Sequence, residues 1–500
     1  MPLFPSLKRW AAVLLASLAG AALAQPGGDA PLKASAPLTL ELRNAQWFDG
    51  REFKRGTLYV ADGKFTAQKP KRINRRLELR AQFLVAPLAE AHNHNLQNEW
   101  GVQNFAQRYL QEGVFYAEMQ CGDPDGVNPV RPLLNRPDSP DVAFVTACVT
   151  SSDGHPLAVL LGAAPAEGQP ALKLADVADR AVLLMDEPAD VERKWPLLAS
   201  RKTDLLKLVL SYHEREELRG QPALHGRLGL SAATASALVR QAHKQGLRVI
   251  AQADSLADFE LAVQAGVDQI AHLPGYFNHH GDAPERFAIT PELASLAARQ
   301  KTAIITGTAA TALFPATPEL QAQLRQVQAA NLKLLQAAGV PLLLGSDSFM
   351  ATAQAEVKSL AALDALSPAA LLKIATIDTA RAIFPKRQLG CFNPGCEASF
   401  LVLGGNPLQD LEQLGKPMLR VKQGRILTPL ADVAQASDAL SENTDTPALK
   451  GRKRTAGKTA TKATAKSSGK AKSGARMVPR TAAKSASGTR SVKAASAPRH

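Results

Sequence analysis

The sequence predicts an α/β protein with a (β/α)8 TIM-like barrel over residues 86–386, a small composite β-sandwich made of residues 38–85 and 387–430, and a disordered tail. Three observations support this. Apolar, strand-like runs alternate with amphipathic helical stretches through the middle of the chain. β-like runs lie on both sides of that region, and residues 431–500 contain little apolar bulk. Strand, helix and strand at this spacing are typical of parallel βα units.

The barrel is predicted from eight or nine apolar runs, enough for an eight-stranded barrel. An open, doubly wound sheet is the alternative, but the sequence contains no GxGxxG or P-loop pattern to support it. The runs are FLVAPL (83–88), VFYAEM (114–119), VAFVTACV (142–149), VLLM (182–185), LLKLVLSY (205–212), LRVIAQA (247–253), QIAHL (269–273), TAIITG (302–307) and PLLLGSD (341–347).

The sandwich is predicted from the β-like runs that flank the barrel. LTLEL, TLYVADGKF and LELRAQFLV precede it, and FLVLGG and MLRVKQGRIL follow it. Alternating runs of this length are typical of half-buried strands. A barrel bracketed by such segments indicates that its two ends pair in one small sandwich.

The first 24 residues have the pattern of a secretory signal peptide. Lys8 and Arg9 precede the short apolar run WAAVLLASLAGA, and a small-x-small cleavage site ends at Ala24. The apolar run is too short to span a bilayer as a helix. We therefore expect an exported protein, periplasmic or extracellular, with no transmembrane segment.

The formal net charge of +14 comes from the end of the chain. Residues 450–500 contain 15 Lys and Arg and no acid, whereas residues 25–449 hold 42 basic and 45 acidic residues. From residue 431 the low-complexity composition cannot bury enough apolar surface to fold, so a disordered tail is predicted. Its charge allows non-specific contact with acidic envelope polymers or nucleic acid. A solvated tail without a partner is the simpler alternative.

The four cysteines can form disulfides if the protein is exported. Cys391 and Cys396 flank the turn sequence FNPG, a spacing that suits a local bridge. Cys121 and Cys148 follow two separate apolar runs and either pair or stay buried. Four cysteines allow three connectivities, and the sequence leaves the choice open.

Polar residues lie in or just after several of the barrel runs, where a parallel barrel carries its functional side chains. Each residue alone is weak evidence: a buried lysine is often paired, and an aspartate after a strand is often a helix cap. Imidazole and carboxylate together suit zinc and similar divalent ions, so the ordered set predicts a metal centre. The set comprises His92, His94, Lys207, Gln252, His272 and Asp347.

These motifs resemble those of the amidohydrolase superfamily, and most closely those of exported proteins similar to imidazolonepropionases and Xaa-Pro dipeptidases. The resemblance covers roughly residues 38–430. The motifs are AHNH, LLKLVL, GVDQIAHLPG and LLLGSD, followed by LLKIATIDTARAI and LGCFNPGCEASFLVLGGNPL.

The resemblance implies a role for each candidate. His92, His94 and Asp347 would bind the more buried metal ion, Lys207 would carry a carboxyl group that bridges two ions, and His272 would bind the second. Asp347 would also take a proton from the attacking water and pass it to the leaving group. His155, in the stretch SSDGHP, is a candidate substrate contact.

Two positions depart from the family pattern. Gln252 stands where the family has a histidine after strand five, and an amide oxygen is a weaker ligand for zinc-like ions than imidazole. Hence we expect one tight metal site, and Gln252 is a weak ligand or a substrate contact. Glu90 stands near the place of the family's usual first-strand acid.

The leading interpretation is a metal-dependent hydrolase of C–N bonds, in a cyclic amide or a dipeptide-like amide, that uses a metal-activated water. One alternative is a catalytically impaired family member that binds a small molecule, which Gln252 favours. The other is an envelope- or polyanion-binding protein that acts through its basic tail. Substrate specificity depends on the loops at the barrel face, and the sequence does not identify the substrate.

Overall fold

The computed structural model describes residues 31–162, 170–276, 282–314 and 316–429. The predicted signal peptide and the predicted tail lie outside these residues and stay predictions. Within the described part of the chain, no helix combines the length and the apolar character that crossing a bilayer requires.

The strands alternate with helices through the middle of the chain. In chain order the strands are β1 Leu32–Ala34, β2 Leu40–Phe48, β3 Phe53–Ala61, β4 Lys64–Thr66, β5 Arg75–Glu78, β6 Phe83–Val85, β7 Leu88–Asn93, β8 Val114–Met119, β9 Asp141–Phe144, β10 Ala147–Thr150, β11 Leu183–Leu184, β12 Leu206–Val209, β13 Val249–Gln252, β14 Gln269–Ala271, β15 Ala303–Ile305, β16 Leu342–Leu343, β17 Phe400–Leu403, β18 Leu419–Lys422 and β19 Arg425–Pro429.

Most of the longer helices begin at a Ser or Thr whose side chain accepts a hydrogen bond from the first turn, in several cases with proline at the first helical position. The helices are α1 Glu99–Gln111, α2 Pro124–Val130, α3 Leu157–Gly162, α4 Leu174–Val177, α5 Ala189–Ser200, α6 Ala232–Lys244, α7 Leu256–Ala265, α8 Pro291–Gln300, α9 Pro318–Ala337, α10 Ala353–Leu363, α11 Pro368–Lys373 and α12 Thr379–Ile383.

One nine-stranded sheet unites the two ends of the described chain. Its order is β1-β19-β18-β17-β6-β2-β3-β4, with β5 paired to β2. β1 runs antiparallel to β19, and β17 runs antiparallel to β6. The flanking segments therefore pair with each other, while the domain boundaries given above stay predictions.

The middle of the chain forms two parallel sheets, of order β7-β8-β9 and β11-β10-β12-β13-β14-β15-β16. Only two residues separate β9 from β10. Backbone hydrogen bonds also join the two sheets, from Ala91 N to Leu344 O at 2.7 Å and from Asp347 N to His92 O at 3.0 Å. This is the strand order of a (β/α)8-type barrel, in a mixed α/β protein with parallel sheets.

Three of the predicted runs differ in the structure: FLVAPL and VAFVTACV are each divided between two strands, and VLLM is shortened. FLVAPL is not one strand: residues 83–85 form β6 in the outer sheet, and β7 begins at Leu88, after Pro87. Proline lacks a backbone N–H and interrupts the ladder there. VLLM contributes only Leu183–Leu184, an edge strand beside β10.

Candidate metal centre

Each predicted site residue lies in a strand of the parallel sheets or in the residues that follow its carboxyl end. His92 is in β7, Lys207 in β12 and Gln252 at the end of β13. His272 directly follows β14, and Asp347 follows β16 by four residues. Because parallel strands present their carboxyl ends at the same edge, residues far apart in the chain meet there.

Asp347 lies at the centre of three imidazoles. Its Oδ1 is 3.2 Å from His92 Nε2 and accepts a hydrogen bond from His94 Nε2 at 2.9 Å. Its Oδ2 is 3.1 Å from His272 Nε2, in a geometry that makes no hydrogen bond. His92 and His272 are fully buried, and their rings stack with centroids 4.9 Å apart. The structure therefore brings ligand atoms of His92, His272 and Asp347 within 4.8 Å of one another.

Burial sets the charge of this group. The pKa of His92 lies well below its usual value because of desolvation, reinforced by the charge of Lys207. Desolvation also lowers the pKa of His272. Burial alone would raise the pKa of Asp347, but His92 and His272 outweigh it and hold that pKa well below its usual range. A metal ion requires neutral imidazoles and an ionised carboxylate of its ligands, and the lowered pKa values of His92, His272 and Asp347 all favour those states.

Lys207 is buried beside this group. Its Nζ lies 3.3 Å from His92 Nε2, and desolvation lowers its pKa to about 8. No carboxylate of the described residues forms an ion pair with it within 4.0 Å. A buried lysine without an ion pair is energetically costly, and Lys207 stays a predicted site residue.

The backbone conformation after β14 and β16 orients the side chains of His272 and Asp347. His272 has φ +76° and Asp347 has φ +51°, in the left-handed region that non-glycine residues rarely adopt. Two glycines give the histidines room. A Cβ at Gly307 would lie 2.8 Å from His272 Cδ2, and one at Gly345 would lie 2.8 Å from His92 Cβ.

Glu90 lies behind the centre and supports it. Its carboxylate accepts hydrogen bonds from Tyr109 Oη at 2.7 Å, from Asn93 Nδ2 at 2.9 Å and from the hydroxyl of Ser346. Burial raises the pKa of Glu90 to about 7. The residue therefore links β7 to the segment that carries Asp347, and it does not touch the imidazoles in the contacts described.

Gln252 lies beside the centre, and its described side-chain hydrogen bonds go to residues other than Asp347. Its Nε2 is 3.4 Å from Asp254 Oδ1 and 3.5 Å from Tyr276 Oη. The ring of Tyr276 stacks on His272, with centroids 3.8 Å apart. The glutamine at position 252, which replaces the histidine of the family pattern, thus belongs to a buried polar network.

His155 lies near the same face. It is half-buried, and its backbone N–H donates to Leu228 O at 2.7 Å. Desolvation and then the charge of Lys207 lower its pKa to about 3. The imidazole is therefore neutral near pH 7 and can act as a hydrogen-bond donor or acceptor. Its role as a substrate contact stays a prediction.

The sequence analysis missed four residues around these candidates. Asp254 and Ser211 follow β13 and β12 as ordinary loop residues, and Tyr276 follows the LPG turn after His272. Phe349 stacks on His94, with ring centroids 4.7 Å apart. Position after a barrel strand could have identified Ser211 and Asp254, because the same signal identified His272 and Asp347.

A second group of possible ligands, His213, Glu214 and Asp258, lies after β12 and at the start of α7. Asp258 already accepts hydrogen bonds from the backbone N–H groups of Tyr212, His213, Asp254 and Ser255, and from His213 Nδ1 at 2.8 Å. Its lone pairs are used in capping α7 and ordering the preceding loop, so this group is structural.

The donor set around Asp347 fits a divalent metal ion. It combines imidazole nitrogens with carboxylate oxygens, which suit zinc and similar ions. The Nε2 of His272 is buried and makes no hydrogen bond among the described residues, although a buried imidazole nitrogen normally has a partner. An ion ligated by this nitrogen would be that partner. His92, His94, His272 and Asp347 are the residues able to hold it, with Lys207 adjacent.

Comparison with known proteins finds a family model that matches part of the chain. Residues 203–434 match the model of the amidohydrolase family. That segment contains Lys207, Gln252, His272 and Asp347, whereas the HxH pair of β7 lies before it. No curated protein matches the chain.

Solved structures share the fold at low sequence identity. An amidohydrolase is 21% identical, with a TM-score of 0.58, over 78% of this chain and 98% of that one. A Xaa-Pro dipeptidase with bound methionine in its active site is 16% identical, with a TM-score of 0.59, over 78% and 99%. Molinate hydrolase is 16% identical, with a TM-score of 0.61, over 83% and 100%. At these identities the likeness establishes the barrel-type fold.

Proposed function

We propose that this chain, of which residues 203–434 match the amidohydrolase family, is a metal-dependent hydrolase of C–N bonds in a cyclic amide or a dipeptide-like amide. The observation that carries the proposal is the convergence of His92, His94 and His272 on Asp347, within 3.2 Å. The dipeptide class is supported by the fold shared with a Xaa-Pro dipeptidase.

A zinc ion in this centre would lower the pKa of a water molecule toward neutrality and polarise the carbonyl of the substrate. The protein's own contribution is proton transfer and orientation. Asp347 accepts the proton of the attacking water and returns it to the leaving nitrogen, which cannot depart as an anion. His94, with 13% of its side chain exposed, lies on the open side of the group.

Lys207 has a separate role in the proposal. Its ammonium first loses one proton, and the neutral amine then adds carbon dioxide and releases a second proton, so that the buried cation becomes an anionic carbamate. Burial without an ion pair supports this assignment, because a carbamate beside a metal ion removes the unpaired charge. Carbon-13 NMR after incubation with labelled bicarbonate tests it. A carbamate resonance that is absent from Lys207→Met is expected, and identical spectra would contradict it.

The test of the hydrolase proposal is a screen of dipeptides, N-acyl amino acids and cyclic amides with the full chain after metal addition. Turnover is expected in the wild type and is expected to be lost in His94→Ala. His243→Ala is the matched control, because it removes an exposed imidazole that also contacts a carboxylate, at 2.9 Å from Asp268. Equal turnover in His94→Ala and His243→Ala would contradict the proposal.

We propose further that the protein is exported and that residues 450–500 contact acidic polymers or nucleic acid. The amino-terminal pattern and the disulfides Cys121–Cys148 and Cys391–Cys396 support export. A chain ending near residue 430 should keep its thermal midpoint and turnover. Binding to anionic vesicles or DNA should disappear with the tail and weaken steeply with salt. Binding that survives truncation would contradict the tail assignment.

A further inference from the structure

The phenol ring of Tyr276 lies against the face of the His272 imidazole. The two ring centroids are 3.8 Å apart, and the ring planes are tilted by 31°. Both residues are buried, with Tyr276 4% and His272 1% exposed. Because an imidazole binds a metal ion through a nitrogen on its edge, a contact on its face leaves that nitrogen available.

The imidazole of His272 has no hydrogen bond that would fix its orientation. A histidine that binds a metal ion through one ring nitrogen usually donates from the other to a carboxylate, a backbone carbonyl or a water molecule. Here both ring nitrogens are buried, and neither has a hydrogen-bond partner among the described residues. The orientation of this ring therefore depends on packing.

Two close contacts confine the ring. Tyr276 covers its face, and the backbone of Gly307 lies at its edge, where an added Cβ would be 2.8 Å from His272 Cδ2. The backbone of His272, with φ +76°, sets the direction of the side chain. Rotation of the imidazole would drive it into the phenol or into Gly307, and a closely packed interior does not yield easily.

Tyr276 is itself held by several contacts. Its backbone N–H donates to Leu273 O at 3.1 Å, and its ring meets Phe314 edge to face, with centroids 5.8 Å apart. Its hydroxyl lies 3.5 Å from Gln252 Nε2. Desolvation, then the charge of Asp254 and a hydrogen bond to it, raise the pKa of the Tyr276 phenol well above its usual value.

The residues around the hydroxyl support one another. Asp254 Oδ2 accepts a hydrogen bond from Ser211 Oγ at 2.5 Å, and Asp254 Oδ1 lies 3.4 Å from Gln252 Nε2. The backbone carbonyl of Asp254 accepts from Gly275 N at 3.2 Å, directly before Tyr276. The network thus holds both ends of the tyrosine, its hydroxyl and its backbone.

We propose that Tyr276 is a positioning residue for His272. Its ring, anchored by Asp254 and Gln252, orients the imidazole for an ion in the centre, in place of the usual hydrogen bond to the second ring nitrogen. The inference rests on the metal centre of the hydrolase proposal. It also gives Gln252 a role, as part of the anchor of Tyr276.

The test compares zinc binding by the metal-free full chain in wild type, Tyr276→Leu and Tyr276→Phe, by competition with a chromogenic chelator. Tyr276→Leu removes the ring, so zinc affinity should fall by about 10–100-fold. Tyr276→Phe keeps the ring on His272, so its affinity should fall by less than about tenfold. The visible absorption of the cobalt-loaded protein is a second readout, because it reports the geometry of the ligands and should change only when the ring is lost.

Tyr116→Leu is the matched control. Tyr116 is also a buried tyrosine, and its hydroxyl donates to a carboxylate, Glu397 Oε1, at 3.0 Å. Its ring packs against Phe384 and Arg387, away from the imidazoles. This variant should lower the thermal midpoint of the metal-free protein, as Tyr276→Leu does, but leave zinc affinity and the cobalt spectrum unchanged.

Tyr276→Met is a second variant without the ring, for use if Tyr276→Leu does not fold, because methionine adapts to irregular gaps. Zinc affinity within about threefold of the wild type in the variant without the ring, or equal losses in it and in Tyr116→Leu, would overturn the inference and leave the hydrolase proposal intact. Absence of bound zinc in the wild type would instead remove the metal centre, and with it both proposals.

Discussion

The Nε2 atom of His272 lies 3.1 Å from Oδ2 of Asp347, although the two residues follow β14 and β16, which are not neighbours in the sheet. Both have positive φ and both are largely buried. An arrangement that requires two unfavourable backbone conformations persists only where the surrounding structure enforces it. We interpret this pair as the centre of the site, with His92 and His94 completing it.

Replacing Asp347 by asparagine should separate proton transfer from substrate binding. The amide keeps the size of the side chain but cannot accept a proton, so turnover should fall by on the order of 10³-fold or more, with a smaller change in KM. Steady-state kinetics against the best substrate of the screen measures this. Asp268→Asn removes a carboxylate that contacts exposed His243 and is the control. A loss of less than about tenfold in Asp347→Asn would contradict its assigned role.

A buried ion network should make a large contribution to stability. Lys422 Nζ is fully buried and donates to Asp141 Oδ1 at 2.6 Å, and Arg387 contacts the other Asp141 oxygen at 2.8 Å. Asp141→Asn leaves both cations without their shared carboxylate, and should lower the free energy of unfolding by roughly 3 kcal/mol. Denaturant unfolding measures the difference. Arg180→Gln, which breaks the exposed pair with Asp125, should leave the free energy of unfolding nearly unchanged; similar losses in both variants would contradict this account.

Glu356 should make stability depend on pH. Its carboxylate contacts Thr306 Oγ1 at 2.6 Å and Thr308 N at 2.9 Å, and burial raises its pKa to about 7. The folded state therefore holds a proton that the unfolded state loses near pH 4.5, so this contribution to stability falls as pH rises from about 4.5 through about 7.

The comparison with Glu356→Gln isolates that contribution. The variant cannot titrate at this position, so the stability advantage of the wild type should shrink by roughly 1–3 kcal/mol across that window. Urea unfolding of both proteins at several pH values measures the change. A constant difference from pH 4.5 to 8 would show that the carboxyl has an ordinary pKa.

The two disulfides should differ in their contributions. Cys121–Cys148 closes a loop with a sequence separation of 27, and Cys391–Cys396 one of 5. By loop-closure entropy, replacing the first pair with serine should cost about 3.5 kcal/mol and the second about 2 kcal/mol. Thermal and denaturant unfolding of the two double-serine variants test this order, which the opposite ranking would contradict.

The sequence predicted the alternation of strands and helices well because apolar runs and turn residues are local signals. It predicted β8 in full, since VFYAEM is buried along its whole length. It did not predict the strand boundary inside FLVAPL. The sheet that a strand joins depends on pairing partners, and these can lie more than 300 residues away in the chain, as Leu401 does from Val85.

The residues of the candidate site could be predicted from the sequence, but their arrangement in space could not. His92, His272 and Asp347 could be selected by their position after strands, whereas their convergence on one carboxylate depends on backbone angles at two strand ends. Tyr276 could not be identified, because nothing in LPGY shows that the ring turns back onto His272. Ser211 and Asp254 look like ordinary loop residues until β12 and β13 bring them together.

The most direct test of the central claim is the metal content of the full chain, purified without chelator and again after soaking with zinc or manganese. Elemental analysis should find about one equivalent of a divalent metal per chain in the wild type and in His243→Ala, and a large loss in His272→Ala. Less than about a tenth of an equivalent in both wild-type samples would contradict the metal centre and, with it, the proposed hydrolase mechanism.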